Sequence, residues 1–298
     1  MPISPPFRME AMNNQSSEII YTYAGPRTAS DTGPFVKTRL MIREFIDARE
    51  LIIRLFIRNF SSKYRQSVLG IVWAFIIPII TVGMFMVMGN AGVINVQGLK
   101  APYAVYAIIG TTFFNLFTAG LTACTGSIVQ AGSMIVKINF PRIALVFSSS
   151  LMGIVDTAVR LILIAAAFIV YRTAPHPVGV LIGFLSLIPL FILTLGLGLF
   201  FSLVAAILRD LINIIPFATM GLMLLTPVLY PIDNSSALGV VTQYNPLHYL
   251  INFPRDMVLY GSSELTTGYI VSAIISCIVL IAGWQFFYMA QTKIAERV

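Results

Sequence analysis

Residues 62–78 read SKYRQSVLGIVWAFIIP, and within them a charged segment turns into an uncharged apolar one. Upstream, Val36–Arg65 holds eight Lys/Arg and three Asp/Glu; downstream, Gln66–Leu99 holds no charge at all. Such a junction marks a chain that runs along a membrane surface and then dives into the bilayer. The remaining sequence agrees. Of 298 residues, 57% are hydrophobic and only 10% charged, against about a quarter charged in soluble domains. Charge-free windows recur at Ala101–Val136, Thr173–Leu208, Leu211–Ile232 and Leu265–Thr292. A spanning helix needs about 20 mostly apolar residues. The expected class is an all-α integral membrane protein.

Six spans fit these windows, at about 68–90, 102–124, 143–171, 178–207, 211–230 and 266–290. With that layout fifteen Lys/Arg fall on one side and three (Lys100, Arg172, Arg255) on the other. Positive-inside bias then places both termini in the cytoplasm. The same bias accounts for the net charge of +7 without any nucleic-acid partner. Residues 1–35 are polar, rich in Ser, Asn and Pro, and lack the apolar core of a secretory signal; they read as a disordered cytoplasmic tail. Residues 36–66 read as an amphipathic helix in the interfacial plane, 67–292 as the six-span domain, and 293–298 as a cytoplasmic end. On the amphipathic helix Arg43, Asp47, Glu50, Arg54 and Arg58 make a charged stripe, and Phe45, Ala48, Ile52, Leu55 and Phe56 an apolar one. Anchoring on anionic lipid and contact with a cytoplasmic partner both fit that helix. Thr125–Arg142 reads as a short helix held at the cytoplasmic face, either a passive connection or a docking element.

Chemistry within the spans is sparse. Asp156 and Arg160 are the charged residues placed inside a span; four apart on one helix, they are expected to form an intramembrane ion pair. One isolated carboxylate speaks against a proton relay, and no internal repeat is visible, so a secondary transporter is the weaker reading. His176 and His248 lack carboxylate or cysteine partners nearby in sequence, and no catalytic residue or metal-ligand spacing emerges. A membrane enzyme would need such a cluster. Cys124 and Cys277, in apolar helical context, read as small buried hydrophobes. The phosphate-cradling pattern GxxxxGK[ST] does not occur in these residues, so an ATPase, if one drives the chain, is a separate chain. Between the fifth and sixth spans, Pro231–Leu265 is expected to form re-entrant or interfacial helices. Tyr249, Phe253 and Tyr260 there share one helix face, as interfacial anchors or as rings that stack on a sugar chain.

Three blocks carry a family likeness. Tyr64, Arg65, Ser67, Leu69, Gly70, Trp73 and Pro78 resemble the start of the first span in ABC-2-type export permeases. Asn139–Arg142 (NFPR) is similar to the Phe-Pro-Arg that closes that family's coupling segment, and Asn245, Pro246, Tyr249 and Arg255 to its block before the last span. The closest likeness is to permeases that export O-antigen, capsule or teichoic acid. That resemblance implies a homodimer in a bacterial inner membrane, joined to two ABC ATPase subunits that bind ATP and Mg, with no cofactor in this chain. It implies a lipid-linked glycan as substrate, moving through a channel at the dimer interface. Gln130, Ser133, Met134, Lys137, Phe140, Pro141 and Arg142 become the expected ATPase-coupling residues. Trp73, Phe75, Phe85, Phe113, Phe114, Phe117, Tyr249, Phe253 and Tyr260 become candidate channel or substrate contacts. A drug or peptide exporter of the same type is the alternative.

Overall fold

In the computed structural model, residues 19–22, 25–28, 45–65, 72–92, 99, 101–132, 141–230 and 237–295 are described. Within the expected tail, Ile19–Thr22 (β1) and Gly25–Thr28 (β2) pair as an antiparallel hairpin, with Ile19 opposite Thr28. A stretch read as disordered therefore holds a short sheet; IIYT is a run of strand-forming residues.

Helix α1, Arg49–Arg65, follows the charged and apolar stripes. Ala48, Ile52 and Leu55 are buried against Ala131, Ala144 and Leu145, and Phe45 meets the edges of Phe147 and Trp284. The next helix, α2, is Val72–Asn90 and carries Pro78 in its interior. Tyr103–Ala131 (α3) and Ile143–Val170 (α4) cross closely because both are glycine at the crossing. A Cβ on Gly153 would stand 2.9 Å from the Leu116 carbonyl oxygen. In lipid no hydrophobic force joins apolar helices, so small residues that admit close van der Waals packing do that work.

Pro177–Leu185 (α5) and Ile188–Ile207 (α6) occupy the expected fourth span as two helices, not one. Pro189 lies four residues past Leu185, where a proline ring clashes with the carbonyl of residue i−4 and offers no N–H to it. Leu211–Leu225 (α7) ends sooner than the expected 230: Thr226 precedes Pro227 and is extended, as residues before proline are. Ala237–Gln243 (α8) and Pro246–Tyr260 (α9) form the expected helix pair before Thr266–Ala295 (α10). Asn245 caps α9 by accepting from the Leu247 N–H at 3.0 Å, Pro246 fills its first turn, and Gly261 ends it in the left-handed region (φ 73). The helix runs through Pro254 unbroken.

Four helical segments are long and apolar enough to cross a membrane: α3, α4, α5 with α6, and α10; α2 and α7 are shorter apolar helices. Helix α3 is the hub. Phe113 and Phe117 from it are fully buried with Leu190, Leu229, Leu250 and Ile251. It also continues to Ala131, so the first part of Thr125–Arg142 is the end of this span; residues 133–140 lie outside the described residues. Cys124 is buried as expected, but Cys277 is exposed on α10.

Candidate functional site: a polar cleft beside the hub helix

The polar residues of α3 are not scattered. Asn115, Thr118, Thr122 and Gln130 recur at helical spacing, and at about 100° per residue Asn115 and Thr122 fall opposite Phe113 and Phe117. This stripe forms one wall of a cavity of about 660 Å³. Ala119 and Ala123 of α3, Ser149, Met152 and Asp156 of α4, Pro216 and Thr219 of α7, and Asn59, Ser62 and Lys63 of α1 complete the described lining. Its volume lies within the usual range for ligand sites, roughly 300–1,000 Å³. Hydroxyls and amides stand within a wall whose larger area is apolar. The Asn115 Nδ2 is buried with no hydrogen-bond partner among the described residues.

Lys63 and Asp156 close one side. The Lys63 ammonium donates to both oxygens of Asp156 at 2.7 Å. The carboxylate side chain is 12% exposed and the lysine 46%, so the acid lies in the wall and the base at the lip. The expected partner of Asp156 is Arg160, one turn along α4; Lys63 of α1 is a partner that the spacing within α4 does not point to. Asp156 takes a partner 93 residues away in sequence, because α1 brings Lys63 alongside α4. Asp156 lies thirteen residues into α4, roughly 20 Å along its axis. A charged pair at that depth, beside a polar cavity, is the arrangement in which membrane proteins tolerate ionisable groups. Phe45 meets Phe147, and Lys63 meets Asp156 nine residues further along α4, so α1 crosses that helix obliquely.

The aromatic candidates lie elsewhere. Phe113, Phe114 and Phe117 belong to the buried core around α3, on faces turned from the cleft, and Phe85 packs against that core. Trp73 is exposed on α2 and Phe75 half-buried; neither lines the cleft. Phe253 is stacked on Tyr269 of α10, with ring centroids 4.2 Å apart and an interplanar angle of 18°, which occupies the face proposed for a sugar. The Tyr249 ring abuts Gly268, and its hydroxyl donates to the Gln243 carbonyl at 3.0 Å. Tyr260 is half-buried at the end of α9, beside Ala101. The three do not form an open rim: α10 covers the middle of their shared face.

Among the expected coupling residues, Gln130 lines the cleft, while Ser133, Met134, Lys137 and Phe140 lie outside the described residues. Pro141 and Arg142 precede α4, and their carbonyls accept from the Ala144 and Leu145 N–H groups at 3.0 Å. Tyr64 and Arg65 are the last residues of α1, Pro78 is buried within α2, and Ser67, Leu69 and Gly70 lie outside the described residues. Sequence reasoning missed Lys63, Asn115, Thr118 and Thr122. The α3 stripe was readable as polar residues recurring at three and four within an apolar span.

At the far end of the bundle, Arg255 of α9 is 3% exposed. Its guanidinium lies 3.6 Å from the centroid of the Tyr106 ring and donates to the Val228 carbonyl at 3.1 Å. His248 bonds Asn252 through Nδ1 at 2.8 Å; burial, and then the nearby Arg255 charge, push its pKa down to about 4. Burial raises the Asp256 carboxyl, which accepts from the Ser263 hydroxyl at 3.0 Å. The Arg255 contacts tie α9 to α3 and to the segment leaving α7.

Comparison with known proteins follows the same boundaries. A family model described as ABC-2 type transporter matches residues 50–259, from the start of α1 almost to the end of α9. An O-antigen export system permease protein RfbA from Klebsiella pneumoniae is 25% identical over 253 residues, covering 83% of this chain and 94% of that protein. A second protein of that name from Klebsiella pneumoniae is 25% identical over 258 residues, with the same coverage. One from Myxococcus xanthus is 23% identical over 265 residues, covering 87% of this chain and 99% of its own length.

Proposed function

The chain belongs to the ABC-2 type transporter family, and from that premise we propose that it is the membrane subunit of an ATP-driven polysaccharide exporter. The observation that carries this reading is near-full-length similarity to proteins named as O-antigen export permeases. A polar cleft at membrane depth suits it, because a hydroxyl-rich cargo needs hydrogen-bonding partners where lipid offers none. The cargo is a lipid-linked glycan, and the membrane is the bacterial inner membrane. Energy comes from two copies of a separate ABC ATPase that bind ATP and Mg. They engage the segment around Gln130–Arg142 and the charged face of α1.

Two copies of the chain form the channel between them. Helices α2 and α7 complete a six-span layout with both termini in the cytoplasm, and α8 and α9 dip back toward the bilayer on the far side. The test is co-purification with an ABC ATPase and reconstitution into vesicles. ATP hydrolysis by the complex should rise with lipid-linked glycan, and deletion of the chain should leave glycan undelivered inside the cell. Normal surface glycan in the deletion strain overturns the reading. Stimulation by a hydrophobic drug or peptide, with no response to glycan, replaces it with a drug or peptide exporter.

A further inference from the structure

We propose that α7 bends at Pro216 during the ATP cycle, while its far end stays moored to α3, α8 and α9. This rests on the ATP-driven reading above and adds which part of the chain moves and which part does not. The mooring is the segment Thr226–Leu229, which is buried throughout and not helical. Within an apolar span, backbone of that kind persists only where protein replaces the lost helical hydrogen bonds. Side chains from three other elements do so. The Tyr103 hydroxyl of α3 donates to the Leu229 carbonyl at 2.7 Å, and Arg255 of α9 donates to the Val228 carbonyl at 3.1 Å. The Thr242 hydroxyl of α8 reaches the Leu225 carbonyl at 3.5 Å, and the Asn245 amide at the head of α9 donates to the Thr226 hydroxyl at 2.9 Å. Gly110 of α3 admits this close approach, because a Cβ there would stand 2.6 Å from the Val228 carbonyl oxygen. To shift the segment, several hydrogen bonds in a buried setting must break together.

The helix that leads into the mooring is held far more loosely. Of Leu211–Leu225 only Ile215 and Thr219 are buried, while Ile214, Phe217, Met220 and Leu224 are exposed. Pro216, in the interior, has no N–H to offer the Ile212 carbonyl, and the Thr219 hydroxyl bonds the Pro216 carbonyl at 2.8 Å. Both features weaken the hydrogen-bond ladder at one place, and both bend helices. A sparsely packed helix with one fixed end and one weak point yields at the weak point. Pro216 and Thr219 also line the cleft, so a bend there moves one of its walls and leaves the far-side contacts in place.

The test is hydrogen–deuterium exchange, read by mass spectrometry, on the complete complex with its ATPase in vesicles. Exchange is compared without nucleotide and after trapping with ATP and vanadate. Expected is a several-fold change over residues 212–220 on trapping, with residues 225–230 unchanged. An equal change in both stretches shows that the far end moves too, and overturns the proposal. No change over 212–220 while other parts of the chain respond also overturns it, and leaves ATP-driven export standing. No response anywhere in the chain overturns the ATP-driven premise and the proposal with it. Two variants check the cause. Pro216→Ala restores the missing donor and should reduce the change over 212–220 several-fold; an undiminished change overturns Pro216 as the hinge. Tyr103→Phe removes one mooring hydroxyl, and should make 225–230 exchange several-fold faster and respond to trapping. Exchange over 225–230 that matches the parent in both states overturns the mooring.

Discussion

Arg255 is the most deeply buried charge described, and it acts through two contacts at once. Its guanidinium plane covers Tyr106 of α3, while an N–H reaches the Val228 carbonyl just past α7. Truncation removes the cation–π contact and strands a buried carbonyl. Arg255→Ala is therefore expected to lower stability by about 2–4 kcal/mol, read as unfolding of the purified chain in detergent. Arg255→Lys should recover less than half of that, since a point ammonium neither stacks as a plane nor forks. A change within about 0.5 kcal/mol for the alanine variant would contradict this role. His248 gives a pH signature on the same helix. Its folded pKa, about 4, lies below its ordinary 6.5, so the folded state favours the neutral ring. That contribution is present above about pH 6.5 and is lost as pH falls toward 4, up to roughly 3 kcal/mol in all. Asp256, raised by burial, opposes it by favouring the protonated acid at low pH. Comparing His248→Gln with the parent isolates the histidine: the difference in melting temperature should shrink from pH 7 to pH 4.5, and a pH-independent difference would exclude the effect.

Among the elements, α1 shows what patterning does and does not convey. Its buried side was legible because Ala48, Ile52 and Leu55 recur at helical spacing, and the structure seats them on α3 and α4. Ile46, Ile53 and Ile57 on the opposite side remain exposed. Ile52→Ala is expected to cost about 2–4 kcal/mol. It should also loosen α1 locally, read as faster proteolysis at Arg54 and Arg58 with the spans intact; unchanged cleavage would show that lipid, not α4, holds the helix. The cleft was legible only in part. Hydropathy averages hide four polar residues among the phenylalanines of α3, and the large rings chosen as channel candidates lie on the face of α3 turned from the cleft. Lys63–Asp156 was not legible, because periodicity relates residues within a helix and this pair joins two helices far apart in sequence. The break before Pro189 was present in the sequence, yet Pro78, Pro216 and Pro254 sit inside helices. Whether a proline interrupts depends on what else can satisfy the carbonyl it leaves, which is a tertiary matter.

For the whole molecule, the unburied surface is as telling as the core. Trp73, Ile77, Ile80, Met84 and Val87 make one exposed strip on α2, and Ile214, Phe217, Met220 and Leu224 make another on α7. Helix α7, at 15 residues, is shorter than a full span, and a Cβ on its Gly221 would meet nothing within 4 Å. Lipid alone can solvate such faces. A short helix is nevertheless mismatched to a bilayer core of about 30 Å, and association with another helix is one way to relieve that. A homodimer joined along α2 and α7 would cover both strips and put the channel of the proposed exporter between them. Met220→Cys, with Cys124 and Cys277 replaced by alanine, should then be joined to its counterpart by a short bis-maleimide, giving a band near twice 32.7 kDa. Ile169→Cys, equally exposed but on α4, should stay monomeric under the same treatment. If Ile169→Cys cross-links and no position along α2 or α7 does, the two copies meet on the opposite side, and the channel cannot run between these helices.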